Sequence, residues 1–407
     1  MAGGKKVDWL FFTLGIFLIL CIPSAHAQKN SRDSLSLKQL EKTDLIDFGS
    51  RLFASKISRR QDDDTEGKVH FSVIPIAPAS SGGKGEISIS AINASFYMAK
   101  QTNLSTIYFY PYTNFTTSYG LLLSPYIWFP RNEWNGSGDF RILYNAMRDW
   151  GLGGGVPASD YTIIQHSQVR TYFSAITRVR PNFYLGVGYN LDYFWGVTEE
   201  DPTPETPSEF KQYGIGTDSR SVSSGITINI LRDNRRNPVN PENGMYTALI
   251  FRANRKSMGS TEDWGSVYFD IRRYMSFSKT RHKILAGRAF YLGTFGRVPY
   301  LNLPATFDDP SGRAGRGYFA NRFRGAQWIY GEVEYRFDIS SSGFFGGTLF
   351  ANTQTYSNKA GAFSNVNFAS GFGLRLKFNR RSNTNLTLDF AYGAEGWNWY
   401  INLGEYF

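Results

Sequence analysis

The sequence predicts an all-β fold, an antiparallel transmembrane β-barrel of about 16 strands. Aromatic residues make up 16% of the chain and charged residues 19%, and the mean hydropathy is −0.33. The apolar residues are therefore spread among polar ones. Many segments alternate apolar and polar residues with the period of two that belongs to β-strands. Ionised groups recur on the polar faces, and these suit a wet lumen, whereas a packed core would not accept them.

The first residues have the features of a secretory signal peptide, predicted to span 1–27. Lys5 and Lys6 precede an apolar run, and Ala25 and Ala27 supply small residues at the two positions that a signal peptidase reads. The run is shorter than the roughly 20 apolar residues that a spanning helix needs. We therefore expect cleavage before Gln28.

The only cysteine of the chain, Cys21, lies inside this predicted signal. A lipoprotein signal is the alternative, but Leu20 precedes Cys21 where such signals have a small residue. After ordinary cleavage the mature chain has no cysteine. That composition excludes disulfides, a thiolate nucleophile and a cysteine-bound metal.

Residues 28–69 are polar and charged and are predicted to form a periplasmic segment with one weakly amphipathic helix. The acidic cluster Asp62-Asp63-Asp64 with Glu66 could suggest a calcium loop. The ligand spacing of an EF-hand is absent, however, so a solvated linker is the preferred interpretation.

From His70 to the C-terminus the chain is predicted to be strands joined by turns. Phe183–Trp195 shows the alternation clearly, with apolar residues at odd numbers and mostly glycine, Asn190 and Asp192 between them. The predicted strands are His70–Pro78, Glu86–Met98, Leu104–Phe115, Tyr119–Pro130, Asp139–Met147, Tyr161–Thr177, Phe183–Trp195, Ser221–Leu231, Met245–Asn254, Trp264–Phe277, Lys283–Phe295, Trp328–Phe337, Phe344–Tyr356, Asn365–Phe378, Leu386–Tyr392 and Trp397–Phe407. An even count returns both ends of a barrel to one side of the membrane.

The connections sort into long loops and compact turns on opposite sides. Thr198–Gly214 is acidic and proline-rich and is predicted to be an exposed, irregular loop. Asp233–Gly244 is rich in Asn, Pro and Gly, as a compact turn requires. Arg297–Ala326 is a second long loop, on the same side as the first. Long loops face outward and short turns face the periplasm in outer-membrane barrels.

Arg316-Gly317-Tyr318 lies in the middle of this second long loop. It precedes the strand Trp328–Phe337, in which Glu332, Glu334 and Arg336 occupy one face. The motif, its position before an alternating strand and the aromatic C-terminus resemble the BamA/TamA-type bacterial surface-antigen family of outer-membrane barrels. The turn Asp233–Gly244 is similar to a periplasmic turn of that family.

The last predicted strand carries a pattern that resembles the terminal recognition signal of outer-membrane barrels. Trp399, Ile401, Leu403 and Phe407 have the spacing of outward-facing residues, and the chain ends on an aromatic residue. We expect all four to point toward lipid.

The resemblance implies that the loop folds into the lumen and that Arg316 binds acidic residues on the following strands. The alternation places Glu332 and Glu334 in the lumen, so either is expected to be the ionic partner of Arg316. Asn352 stands where the family usually has aspartate, and it can accept a hydrogen bond but brings no charge. Arg375 and Asp389 are also predicted to face the lumen.

The same resemblance implies a function in the outer membrane of a Gram-negative bacterium. Family members assist insertion, translocation or assembly of outer-membrane or surface proteins, which implies unfolded clients, other assembly subunits, outer-membrane lipid and lipopolysaccharide as partners. The segment 28–69 is too short for the periplasmic POTRA modules of relatives, so partner subunits are expected to deliver clients. The alternative is a passive channel or structural barrel plugged by the loop.

Other classes of function have little support in the sequence. The formal charge of +10 is dispersed over strand ends and turns, without a nucleic-acid-binding signature. Among the histidines, His166 is on the polar face of its strand and outside any nucleophile motif, which argues against a lipase or deacylase. We therefore predict no enzyme activity, no catalytic residue, no cofactor and no metal site.

Overall fold

The computed structural model describes residues 69–407 except 80–86, 100–101, 114, 116, 201–207, 279–282, 359–360 and 381. The predicted signal peptide and residues 28–68 lie outside the described residues. The described chain forms a closed antiparallel barrel of 16 strands, which confirms the predicted fold class. No helix in the described ranges is long and apolar enough to cross a membrane.

The strands follow one another around the barrel in chain order, each paired with its neighbours in sequence. They are β1 His70–Ala79, β2 Ile87–Phe96, β3 Ser105–Thr113, β4 Tyr119–Trp128, β5 Trp134–Asp149, β6 Thr162–Arg180, β7 Phe183–Glu200, β8 Arg220–Asp233, β9 Gly244–Asn254, β10 Trp264–Ser276, β11 Lys283–Gly296, β12 Gln327–Asp338, β13 Phe345–Ser357, β14 Phe363–Asn379, β15 Thr384–Gly393 and β16 Gly396–Leu403.

The connections define two rims. The loop rim carries the connections 150–161, 201–219 and 297–326, and the turn rim carries the short connections 129–133, 181–182 and 339–344, together with 234–243. Because every strand reverses direction in an antiparallel meander, successive connections alternate between the two rims. The three longest of these connections all lie on the loop rim.

Among the described residues, the seam between β1 and β16 has the fewest ladder pairs of any junction in the barrel. In the described residues it consists of one ladder pair, Ala79 with Tyr400. On its other side, β16 pairs with β15 along its length, from Leu403 opposite Leu386 to Gly396 opposite Gly393. The barrel therefore closes through far fewer backbone hydrogen bonds at the seam than at the β15–β16 junction.

Two strands extend well beyond their predicted ends. β5 begins at Trp134 rather than at Asp139, and β7 continues to Glu200, beyond Trp195 and into the predicted loop. Backbone pairing with β6 extends both strands over these added residues, although the polar side chains there weaken the alternation.

The predicted acidic loop contains a short helix. Helix α1 spans Glu209–Tyr213, and Ser208 caps it by accepting a hydrogen bond from the Lys211 amide at 3.2 Å. Gly214 ends the helix with φ +75°, a left-handed conformation that glycine adopts without strain. The helix places Phe210 in the apolar cluster described below.

The last strand ends earlier than predicted, and this corrects the placement of two residues. β16 ends at Leu403, and Gly404 has φ +91°, so the chain turns away from the strand direction. Leu403 and Phe407 are 1% and 4% exposed, and Phe407 packs against Tyr274 inside the barrel. Gly404 directs the tail into the lumen, which explains why Phe407 does not face lipid. Leu403 lies within β16 opposite Leu386, and it is buried by its contacts with Tyr110, Phe378 and Leu386.

Candidate functional site in the lumen

The connection between β11 and β12, residues 297–326, folds inward from the loop rim. Its first part packs Tyr300, Leu301 and Leu303 against residues of β6, β7 and α1, including Ile164 and Phe210. These apolar contacts bury the base of the loop and cover part of the barrel opening.

Polar contacts fix the same base to β5. The Tyr300 hydroxyl donates to Asp149 at 2.5 Å, and the Arg324 Nε donates to the other Asp149 oxygen at 3.0 Å. All three side chains are buried. One carboxylate on the rim of the barrel therefore binds both ends of the loop.

A tight turn within the loop is organised by Asp309. Its carboxylate accepts hydrogen bonds from the amides of Ser311, Arg313 and Ala314 and from Arg288 on β11, the last at 2.8 Å. Burial opposes ionisation, but Arg288 and these donors outweigh it, so the pKa of Asp309 lies below its ordinary value. Arg288 also contacts Asp270 at 3.1 Å, so it joins the loop to the barrel wall.

Arg316 lies at the centre of the lumen, with a fully buried side chain. Its Nε donates to Glu332 at 2.9 Å, a terminal nitrogen contacts both Glu332 and Glu334, and the other terminal nitrogen donates to Asp389 at 2.9 Å. The guanidinium is stacked between the rings of Phe350 and Tyr406, at 3.6 and 4.0 Å from their centroids. Three carboxylates and two aromatic faces compensate its loss of water.

Two further arginines extend this cluster to the C-terminal tail. Arg336 contacts Glu334 at 2.6 Å, and Arg375 contacts Asp389 at 2.5 Å and Glu405 at 2.8 Å. Glu334 on β12 and Asp389 on β15 thus each bind Arg316 and a second arginine, which forms a chain of alternating charges. The inward turn after Leu403 brings Glu405 into it.

The backbone of the motif is held by the late strands. The Tyr400 hydroxyl accepts from the Gly317 amide and donates to the Tyr318 carbonyl, each at 2.9 Å. Asn398 donates to the Gly317 carbonyl at 3.1 Å, and the Tyr318 hydroxyl donates to the Phe368 carbonyl at 2.7 Å. Because Tyr400 is also the residue opposite Ala79, the loop contacts the seam directly.

Asn352 has a different role from the one expected. Its amide nitrogen donates to the Arg316 carbonyl at 2.9 Å and does not accept from the guanidinium. The charge that aspartate would bring at this position comes instead from Asp389, two strands away on β15. Asn352 therefore positions the motif through its backbone.

Substitution of Gly317 with alanine is expected to disturb the docked loop. Gly317 has φ +101°, and an added Cβ would overlap the Cβ of Ala369 on β14. We expect a loss of about 1–3 kcal/mol in the free energy of unfolding, measured by urea titration of the refolded barrel. Gly361, which has φ +78° but no atom within 4 Å of the added Cβ, provides the matched control. Equal losses at both positions would show that strain alone, and not contact with β14, explains the effect.

The structure brings most of the predicted site residues together and separates the rest. Those in the lumen cluster are Arg316, Gly317, Tyr318, Glu332, Glu334, Asn352, Arg375 and Asp389. Trp399 is 36% exposed and faces outward, Ile401 is partly buried, and Leu403 and Phe407 are buried.

Sequence reasoning missed several residues of the cluster. Asp309 precedes Pro310, Ser311 and Gly312, a composition that signals a turn but not its contact with Arg288. Tyr400 alternates with the outward residues of β16, which was a signal that it faces the lumen. Neither signal identifies a partner.

A cavity of about 580 Å³ remains between the loop and the wall formed by β3–β6. Its lining includes Tyr108, Tyr110, Asp308, Arg313 and His166. His166 lies against Phe194, with 5.5 Å between ring centroids, and its Nδ1 has no hydrogen-bond partner among the described residues. The folded-in loop therefore leaves the lumen partly open beside the early strands.

The fold is similar to that of solved outer-membrane proteins. The crystal structure of BamA from Haemophilus ducreyi lacking POTRA domains 1–3 aligns with a TM-score of 0.51 and 14% sequence identity, over 84% of this chain and 76% of that chain. CdiB from Acinetobacter baumannii aligns with a TM-score of 0.49 and 10% identity, over 83% of this chain and 65% of that one. No family model and no curated protein matches the sequence.

Proposed function

We propose that this chain is an integral outer-membrane barrel that assists the insertion or assembly of other outer-membrane proteins through its seam. The observation that carries the proposal is the position of Tyr400. It provides the β16 side of the single seam pair and also holds the backbone of Gly317 and Tyr318. A change in the docked loop is therefore transmitted directly to the place where the barrel is easiest to open.

The energetics of the seam support the proposal. An unpaired strand edge presents amide and carbonyl groups that can pair with an incoming strand. Because the described residues of the seam form one ladder pair, Ala79 with Tyr400, separating them breaks few hydrogen bonds. The alternating charges around Arg316 keep the rest of the wall fixed while the seam opens. In this proposal a client strand pairs with the exposed edge and is released sideways into the bilayer.

The proposal includes an orientation in the membrane, which the division into long loops and short turns supports. In this orientation the loop rim faces the cell exterior, and the turn rim and residues 28–69 are on the periplasmic side. Clients are delivered from that side with the help of other assembly subunits. The same proposal expects no catalysis by this chain.

A reversible staple across the seam tests the proposal. The mature chain is predicted to lack cysteine, and Cα atoms of opposed antiparallel residues are about 4.5–5.5 Å apart, within the range of a disulfide. A variant with Ala79→Cys and Tyr400→Cys, reconstituted in vesicles, is expected to stop accelerating the folding of an added unfolded barrel protein when oxidised. Reduction of the same sample is expected to restore the activity that the double substitution retains.

A staple between two ordinary strands provides the control. Val187 lies opposite Ile228 on β7 and β8, far from the seam. With both changed to cysteine, oxidation is expected to leave the folding rate of the client unchanged. Full activity of the oxidised seam variant would contradict the proposal, and a steady open pore in planar-bilayer recordings of the native chain would favour a passive channel.

A further inference from the structure

We propose that Arg180 and Arg232, on either side of Phe183 at the turn rim, form a binding site for the phosphate headgroup of an anionic phospholipid. The site lies on the outside of the barrel, away from the lumen cluster. The acyl chains of the bound phospholipid would lie along the outward faces of β6, β7 and β8. The inference does not depend on the function proposed for the seam.

The register places these three residues in one row on the outer face. Arg180 lies opposite Phe183 on β7, just after a register shift between Arg178 and Arg180, and Phe183 lies opposite Arg232 on β8. Directly opposed residues of antiparallel strands point to the same face, and Phe183 is 36% exposed on the outside. Strands are about 4.8 Å apart, so the two arginines start about 10 Å from each other and can reach one phosphate.

Neither arginine is neutralised within the described part of the chain. Both are exposed, and no carboxylate or hydrogen-bond acceptor among the described residues contacts either guanidinium. Asp233, next to Arg232 in the sequence, is buried against Arg235 at 2.9 Å, and Glu133 pairs with Arg131 at 3.1 Å. The row therefore presents two positive charges with no counter-charge among the described residues.

The surface toward the middle of the barrel is apolar. Leu185 lies opposite Ile230, and Val187 lies opposite Ile228, in the next two rows of the sheet. Leu185, Val187 and Ile228 are 43%, 66% and 50% exposed. Adjacent rows on one face are about 6.6 Å apart along a strand. The acyl chains of a lipid held at the arginines would therefore lie over these side chains.

The opposite end of this surface lacks the same arrangement. On β8, Arg220 lies opposite Trp195 at the loop rim and is exposed. The next exposed arginine, Arg255, donates its amide to Ser224 and so lies several residues away along β8. These two arginines do not share a row, which makes them a control of equal charge in a different geometry.

The test compares lipids retained by the detergent-extracted barrel after incorporation into nanodiscs of equimolar phosphatidylglycerol and phosphatidylcholine. Native mass spectrometry gives the ratio of the two lipids bound. The native chain is expected to retain phosphatidylglycerol preferentially. In a variant with Arg180→Gln and Arg232→Gln, this preference should fall about 5-fold or more. Such a decrease is at least the effect expected from the loss of one basic residue near an anionic surface.

The control variant carries Arg220→Gln and Arg255→Gln and is expected to keep the preference of the native chain. Circular dichroism and the heat-dependent shift on gels establish that both variants are folded. Replacement of Arg180 and Arg232 by lysine should retain part of the preference. Equal losses in the two glutamine variants, or no preference in the native chain, would overturn the proposal. Displacement of the bound lipid by glycerol phosphate alone would also overturn the proposal, because that result would show a site for free phosphate.

Discussion

Arg316→Ala is expected to lower the free energy of unfolding of the barrel by about 3–5 kcal/mol, the usual cost of removing one partner from a buried ion pair. The substitution leaves Glu332, Glu334 and Asp389 buried around an empty space where their cation was. Arg336 and Arg375 compensate two of these carboxylates, but Glu332 keeps only its hydrogen bond from Tyr330.

Urea titration of the refolded barrel, followed by tryptophan fluorescence, measures this loss. Trypsin provides a second readout, because an undocked loop exposes Arg313, Arg322 and Arg324 to cleavage. Arg316→Lys retains a charge but not the planar fork, so an intermediate loss is expected.

The control for Arg316 is Arg297→Ala at the start of the same loop. Arg297 is 67% exposed and pairs with Glu262 at 3.1 Å. Exposed ion pairs contribute about 0–1 kcal/mol, so a small change is expected. If Arg316→Ala were as mild as Arg297→Ala, and the loop stayed resistant to trypsin, the cluster could not be what holds the loop in the lumen.

Asp309→Asn is expected to cost about 2–4 kcal/mol, although the side chain keeps its shape. The carboxylate accepts from three backbone amides, from Ser311 and from Arg288. The asparagine side chain has one acceptor oxygen, which cannot accept all the hydrogen bonds that the two carboxylate oxygens of Asp309 accept. Its NH₂ group would also face hydrogen-bond donors. It also leaves Arg288 with Asp270 as its remaining carboxylate partner among the described residues.

The neighbouring Asp308 allows a matched comparison for Asp309. Asp308 lies in the cavity, 28% exposed, and is 3.5 Å from Arg170. Because Arg170 also binds Asp192 at 2.8 Å, Asp308→Asn is expected to change the free energy of unfolding by less than about 1 kcal/mol. The same urea titration measures both variants. A larger loss for Asp308→Asn than for Asp309→Asn would contradict the role assigned to the turn.

Much of the barrel could be predicted because the alternation of apolar and polar residues along a strand indicates which side chains face lipid and which face the lumen. On β7 the outward residues Leu185 and Val187 alternate with the buried Asp192 and its polar neighbours, and this local pattern is enough to identify a strand. The same alternation placed the carboxylates of Glu332 and Glu334 in the lumen, and the family resemblance implied that one or the other binds Arg316.

Contacts between distant strands depend on closure of the barrel, so they could not be predicted from the local alternation. Asp389 on β15 reaches Arg316 because the loop crosses the lumen, and Glu405 reaches Arg375 because Gly404 turns the tail inward. The sequence by itself determined most of the strands and their inner and outer faces, because alternation is a local record of burial, and the family resemblance implied that the loop folds inward. Only the tertiary structure decided which charges pair and that Tyr400 joins the loop to the seam. Those contacts depend on closure and register, which alternation does not encode.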